Sequence, residues 1–175
     1  FKGDFTWKSN LNFAHNRNKV TKLHNGESFI TGNYLIKEGE SLYSFRAREW
    51  AGVDPGTGES MWYSYDLDES GEVIKSSRKI TKDPNAATRH IVGKADPDLT
   101  GGWRNTFAWK GIDLDFLFTF SLGGNSWDNG WGMENDGLDT TPTVISKRQL
   151  NRWQKPGDVA DYPKRMFGGG HGNYT

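Results

Sequence analysis

The sequence predicts an all-β fold, and three observations predict it. Two adjacent segments, Trp103–Trp109 and Ile112–Leu122, alternate apolar and polar residues with only Lys110-Gly111 between them. A third segment, Asp4–Ala14, alternates in the same way. Clusters of Gly, Pro, Asn and Asp punctuate the rest at short intervals. Period-two alternation puts apolar side chains on one face of a strand, and those punctuating residues supply turns.

In Asp4–Ala14, Phe5, Trp7, Leu11 and Phe13 share a face with Ser9, and Thr6, Lys8, Asn10 and Asn12 take the other. Asn16–Asn18 breaks the run, and Val20–Leu23 is expected as a short strand continuation. Asn25–Glu40 has no clean period. Ser41–Arg48 reads as a strand, with Tyr43, Phe45 and Ala47 on one face and Ser44, Arg46 and Arg48 on the other. Leu42 is its exception. Val53–Gly58 reads as a turn and Met61–Tyr65 as an aromatic strand. Asp66–Gly71 reads as a second turn, after which Val73-Ile74 restarts a strand to close a hairpin. Ala95–Gly102 leads into the long hairpin. In its first arm Trp103, Phe107 and Trp109 share a face that Asn105 weakens. In its second, Ile112, Leu114, Phe116, Phe118, Phe120 and Leu122 oppose Asp113, Asp115, Thr119 and Ser121, with Leu117 the exception. Gly123–Gly132 is expected as a long loop, Thr143–Trp153 as one short helix, and Lys155–Asp158 as a turn.

Two architectures share this pattern. A strand of about 10 residues with one apolar face, aromatic ends and a polar opposite face has the proportions of a transmembrane antiparallel β-barrel strand. A soluble β-sandwich, for instance a carbohydrate-binding module, buries the same face against a core. Composition suits both. Only 34% of the 175 residues are hydrophobic, yet 14% are aromatic, with 8 Trp and 22 Gly. Mean hydropathy is −0.79. Rings and glycines without many aliphatics fit a barrel with aromatic girdles and long polar extracellular loops. The polar face of Asp4–Ala14 carries amides and a lysine, which suits a wet interior. The chain starts at Phe1 and ends without a closing element, so it is expected to be a piece of something longer.

Chemistry is sparse. Net charge is zero, so nothing points to nucleic acid. Cysteine is absent, and His15, His24, His90 and His171 lack zinc spacing, so neither a metal nor a cofactor is expected. Asp66-x-Asp68-x-Ser70-Gly71 resembles the start of a calcium loop, but Ser77 stands where the bidentate Glu is required, and a solvated turn accounts for it better. Asp113 and Asp115 are strand neighbours on one face, better read as lumen residues than as a glycosidase pair. No nucleophile elbow or Walker loop occurs, so no catalytic residues are assigned and the chain is not expected to be an enzyme. Trp127, Asp128, Asn129, Trp131 and Asn135 form the candidate ligand- or partner-binding cluster: ring faces stack on sugars and amides bond hydroxyls. A loop packing its own tryptophans is the competing account.

Several short stretches, in order, resemble the SusC/RagA family of TonB-dependent outer-membrane transporters. They are Asp4–Trp7 leading to Asn16–Val20, then Ala51–Gly58 and Ala95–Gly102. Asn105-Thr106, Trp109–Leu114, Gly123-Gly124, Trp153–Asp158 and Tyr162-Pro163 follow. The resemblance covers nearly the whole chain. It implies that residues 1–175 are part of a large barrel of ~22 strands, without its plug domain. It implies an importer in the outer membrane of a Gram-negative bacterium, taking up oligosaccharides or peptides. Its implied partners are a SusD-like surface lipoprotein, the lipid bilayer, and a TonB complex reached through parts outside this chain. Lys110-Gly111 would be a periplasmic turn and Gly123–Gly170 an extracellular loop.

Overall fold

The computed structural model describes residues 3–128, 138–139 and 146–167. Its strands are β1 (Phe5–Ala14), β2 (Phe29–Thr31), β3 (Tyr34–Ile36), β4 (Ser44–Arg48), β5 (Trp50–Val53) and β6 (Ser60–Ser64). They continue as β7 (Lys79–Thr81), β8 (Arg89–Lys94), β9 (Leu99–Trp109), β10 (Ile112–Leu122), β11 (Leu138–Asp139) and β12 (Met166–Phe167). Two 3₁₀ turns, Lys75–Ser77 and Lys147–Asn151, complete the secondary structure, and no α-helix occurs among the described residues. The chain divides into two compact units, Phe1–Phe45 with Gly93–Ser126 and Arg46–Val92 with Trp127–Thr175.

The first unit is built on an antiparallel sheet of order β1-β9-β10. The register runs unbroken from Phe5 opposite Trp109 to Ala14 opposite Thr100, and from Ile112 opposite Trp109 to Leu122 opposite Leu99. Both predicted arms and the third alternating segment therefore form one sheet with one apolar and one polar face. Lys110 and Gly111 close the hairpin with φ of 47° and 85°, the left-handed pair of a two-residue turn whose twist matches the strands. β9 starts four residues before the expected Trp103, because the glycines are part of the strand. At Gly101 a Cβ would meet the Asn12 carbonyl and the Phe120 ring, both at 2.4 Å. The apolar face stays open: Leu11 is 63%, Phe13 71% and Phe118 58% exposed. A sandwich hairpin would bury such side chains, whereas a barrel turns them to lipid.

β2 and β3 form a small hairpin at Gly32-Asn33, where Gly32 has φ 57°. Tyr34 pairs with Phe45 of β4, and their rings stack at 4.9 Å. Val20–Leu23 is not a strand. Val20 N–H donates to Glu40 O and Val20 O accepts from Gly39 N–H, but the contact does not extend into a ladder.

In the second unit, β5-β6-β7 is an antiparallel sheet with an irregularity between Trp50 and Gly52. Trp62 is its centre, 1% exposed, with the Trp50 ring edge-on at 6.1 Å. The expected strand restart at Val73-Ile74 is a single bridge from Val73 to Leu67, and the strand that pairs with β6 is β7. The Asp66–Gly71 turn is held by Asp68, whose Oδ1 accepts from the Ser70 and Glu72 amides. Of the expected helix Thr143–Trp153, residues 143–145 lie outside the described residues. The rest gives only the 3₁₀ turn capped by Ser146 Oγ, which accepts from the Arg148 amide.

Candidate functional site

The polar face of the β1-β9-β10 sheet carries the first set of positioned side chains. Alternation puts Lys8, Asn10 and Asn12 of β1 beside Arg104 and Thr106 of β9 and Asp113 and Asp115 of β10. Arg104 Nε donates to both Asp115 oxygens, at 3.0 and 3.1 Å, and Thr106 Oγ1 donates to Asp115 Oδ2 at 2.6 Å. This is an exposed polar wall that carries an ion pair. Asp115 is engaged there by both Arg104 and Thr106. Leu117, the exception in the pattern, stands opposite Arg104 on this face.

The strand ends opposite the tight turn form the second set. Asp98 N–H donates to Leu122 O at 2.9 Å, and its carboxylate takes Lys94 Nζ at 2.6 Å. Lys94 holds the Asp98 carboxyl below the usual range through that bond. Gly123 and Gly124 follow β10 with φ of 72° and 75°. A side chain on Gly123 would strike the Asp98 carboxylate, and one on Gly124 the backbone at Ala95–Pro97. Asn125 N–H donates to Lys94 O, Ser41 Oγ donates to Asp96, and His15 Nδ1 lies 2.5 Å from Asp98 O. A cleft of about 160 Å³ lies here, lined by Ala14, Asn16, Asn18, Asp96, Pro97 and Thr100.

The second unit has its own fastening. In the Val53–Gly58 turn, Asp54 Oδ1 accepts from the Gly56 amide, and Lys82 reaches Asp54, Glu59 and Thr57 together. The Lys82 ammonium, then the Gly56 amide and the Thr57 hydroxyl, pull the Asp54 pKa down to about 2. Trp153 packs on Gly58, where a Cβ would come within 2.4 Å of the indole. Trp153 Nε1 donates to Pro55 O at 2.8 Å, Gly157 N–H to Pro55 O at 2.8 Å and Lys164 N–H to Gly58 O at 2.9 Å. Pro163 is fully buried. Two family-like stretches a hundred positions apart, Ala51–Gly58 and Trp153–Asp158 with Tyr162-Pro163, thus form one packed structure. A third, Ala95–Gly102 with Gly123-Gly124, closes the strand ends of the first unit.

Of the candidate cluster, Trp127 is half-buried and Asp128 exposed. Asn129, Trp131 and Asn135 lie outside the described residues. No group of three or more His, Cys, Asp or Glu able to hold a metal occurs among the described residues. Sequence reading did not single out the Arg104–Asp115–Thr106 triad, although the opposed charges on one strand face signal it.

No family model matches the chain. Among curated proteins it is similar to TonB-dependent receptor P3 of Formosa agariphila, 28% identical over 94% of this chain and 20% of that protein. It is also similar to TonB-dependent receptor P39 of the same organism, 26% identical over 91% of this chain and 19% of that one. The chain therefore spans about one fifth of the length of the curated relatives it matches. Among solved structures it resembles the RagAB peptide transporter, with a TM-score of 0.75 and 26% identity over 94% of this chain and 18% of that one. The RagAB peptide importer in its closed-closed state gives a TM-score of 0.74 and 27% identity over the same shares. Sequence and backbone agree over nearly the whole chain with one kind of protein, and the open apolar face has the character its barrel requires. Over nearly its whole length the chain resembles the SusC/RagA-like TonB-dependent receptors, matching a part of their barrel.

Proposed function

We propose that this chain is part of an outer-membrane importer of a Gram-negative bacterium. The importer takes up peptides or oligosaccharides beneath a SusD-like surface lipoprotein and is driven through the TonB complex by parts outside this chain. The observation that carries the reading is the sheet β1-β9-β10, with an exposed aromatic face on one side and a charged, hydrogen-bonded face on the other. A soluble module has no use for the first, and a lumen needs the second. Short turns in such barrels face the periplasm and long connections face outward. Lys110-Gly111 is then the periplasmic turn, and Gly123–Gly170 an extracellular loop. The likeness to structures described as peptide transporters favours peptides.

On this reading the loop residues Trp127, Asp128, Asn129, Trp131 and Asn135 meet substrate or the lipoprotein. The test is uptake of labelled peptide and oligosaccharide pools by cells that depend on the full-length receptor. Uptake is expected to stop when TonB is removed and to fall at least severalfold in a Trp127→Ala, Trp131→Ala variant of normal surface abundance. Uptake indifferent to TonB overturns the importer. Unchanged uptake in the variant removes the loop cluster from its role.

A further inference from the structure

Three arginines of the second unit form no ion pair among the described residues. β4 carries Arg46 and Arg48 two positions apart, on one side of the strand. β8, hydrogen-bonded beside β4, opens with Arg89. Arg48 is 8% exposed, and its Nε and Nη1 are buried without a hydrogen-bond partner among the described residues. Asp83 is the acid felt by Arg48, but its carboxylate caps the Asn85 amide at 2.8 Å. Burial weakens the hold of Arg48 on its proton, and repulsion from Arg89 and Arg46 adds to this. Burial and then Arg89 do the same to Arg46.

A guanidinium stays charged in a protein, so three positive charges share one locality and one of them hides two unmet donors. Buried charge of this kind is costly until an anion completes it. The guanidinium fork fits a carboxylate with two parallel bonds. The spacing narrows the choice further. Arg46 and Arg48 repeat at about 7 Å along their strand, and alternate side chains of an extended peptide repeat at the same interval. That spacing matches the carboxylates of one extended peptide, which the half-buried Arg46 and the exposed Arg89 meet first. Residues 46–92 also belong to the connection that leaves β1 and re-enters β9 at the strand ends away from Lys110-Gly111. On the importer reading that connection is an extracellular one.

We propose that Arg46, Arg48 and Arg89 form a recognition site for the carboxylates of acidic peptides. The proposal rests on the importer reading above and names its substrate class. It is tested on the full-length receptor in detergent, at fixed ionic strength. The probes are a fluorescent hexapeptide with Glu at alternate positions and its Gln counterpart, both blocked at the termini. The Glu peptide is expected to bind at least tenfold more tightly. That preference is expected to shrink to within about twofold in the Arg46→Gln, Arg48→Gln, Arg89→Gln variant. Arg89→Gln alone, at an exposed position, is expected to lower the preference severalfold and serves if the triple variant does not fold. Equal binding of both peptides by the unaltered receptor overturns the site, as does a preference that survives in Arg89→Gln and in the triple variant. TonB-dependent uptake of a peptide pool, measured alongside, separates the two readings. If uptake persists while neither probe binds, the site fails and the importer stands. If uptake is absent, the importer reading fails by itself. Capture by vesicles containing lipid A that is lost in the triple variant, with peptide preference retained, would assign the cluster to the membrane surface and overturn the proposal.

Discussion

Ser9 and Asn105 stand directly opposite one another on β1 and β9, and each accepts an indole N–H from the other's strand. Trp7 Nε1 donates to Asn105 Oδ1 at 3.0 Å, and Trp103 Nε1 donates to Ser9 Oγ at 2.8 Å. These are the two polar residues that interrupt the apolar faces of their strands. An indole inside the hydrocarbon region needs an acceptor, because no water is there to provide one. Asn105 is only 1% exposed although it sits on the open face. What looks in the sequence like a flaw in the alternation is its completion.

The pair Trp7–Asn105 is expected to behave as a coupled unit. Trp7→Phe, Asn105→Leu and the double variant of the full-length receptor form a cycle read by denaturant unfolding in lipid. A coupling of about 0.6 kcal/mol, and no more than ~1.7, is expected from hydrogen bonds between side chains in membranes. Strictly additive effects would mean that the indole and the amide do not bond in the bilayer.

The legibility of the fold follows the length of its alternating runs. β1, β9 and β10 each repeat the period over ten or eleven residues, so their face assignments stand out from the sequence. β2 and β3 are three residues each, and Phe29-Ile30 and Leu35-Ile36 put apolar residues side by side, so no period emerges. Val144, Ile145, Leu150 and Trp153 have helical spacing, yet Trp153 is drawn onto Gly58 and its amide bonds Tyr162 O. Tertiary contact there overrides local pattern. The same reason limits the site. Resemblance singled out glycines and Trp153 that pack within each unit, because a side chain on Gly58, Gly101, Gly123 or Gly124 would clash with a neighbour. Arg46, Arg48 and Arg89 stand in short strands whose pairing only the fold makes visible.

Phe118 is expected to tolerate charge far less than its chain neighbour. Phe118 lies on the aromatic face, 58% exposed, and Thr119 on the polar one. Arginine toward lipid near the midplane costs about 2–4 kcal/mol, whereas a lumen position mainly alters selectivity. Phe118→Arg is therefore expected to lower the unfolding free energy of the receptor in lipid by that amount, and Thr119→Arg by much less. Equal losses would mean that the two faces are not lipid and lumen.

Gly26 and Gly58 share a φ of 71°, but only Gly58 is crowded. Nothing lies within 4 Å of a Cβ on Gly26, while three Trp153 ring atoms lie within 2.9 Å of one on Gly58. Left-handed backbone alone costs an alanine about 1–2 kcal/mol, and overpacking adds about 1–3. Gly58→Ala is expected to destabilise by more than Gly26→Ala by that second amount. Hydrogen exchange at the Lys164 amide, which donates to Gly58 O, should quicken only in Gly58→Ala. Matching behaviour of the two variants would show that Trp153 yields without cost.

The Asp54–Lys82 clamp gives the second unit a defined acid limit. The Asp54 pKa falls from 3.8 to about 2, chiefly through Lys82, so its ionised form favours the folded turn. A depressed carboxyl stabilises fully above its unfolded value and loses that contribution as pH falls through the folded one. The window is therefore between about 4 and about 2. At the other end Lys82 is raised above its ordinary value by Asp54 and then Glu59, so its contribution holds until the solution is strongly alkaline. Gly58 N–H, bonded to Asp54 O at 2.8 Å, is the local reporter. After correction for intrinsic exchange, its protection is expected to stay level from about pH 5 to about pH 9 and to fall below about pH 4. Asp54→Asn should give lower protection throughout and remove most of the acid fall. Added salt should reduce the difference between the two proteins, because the pair lies near solvent. An acid limb of the same depth in Asp54→Asn would assign the loss to other carboxylates.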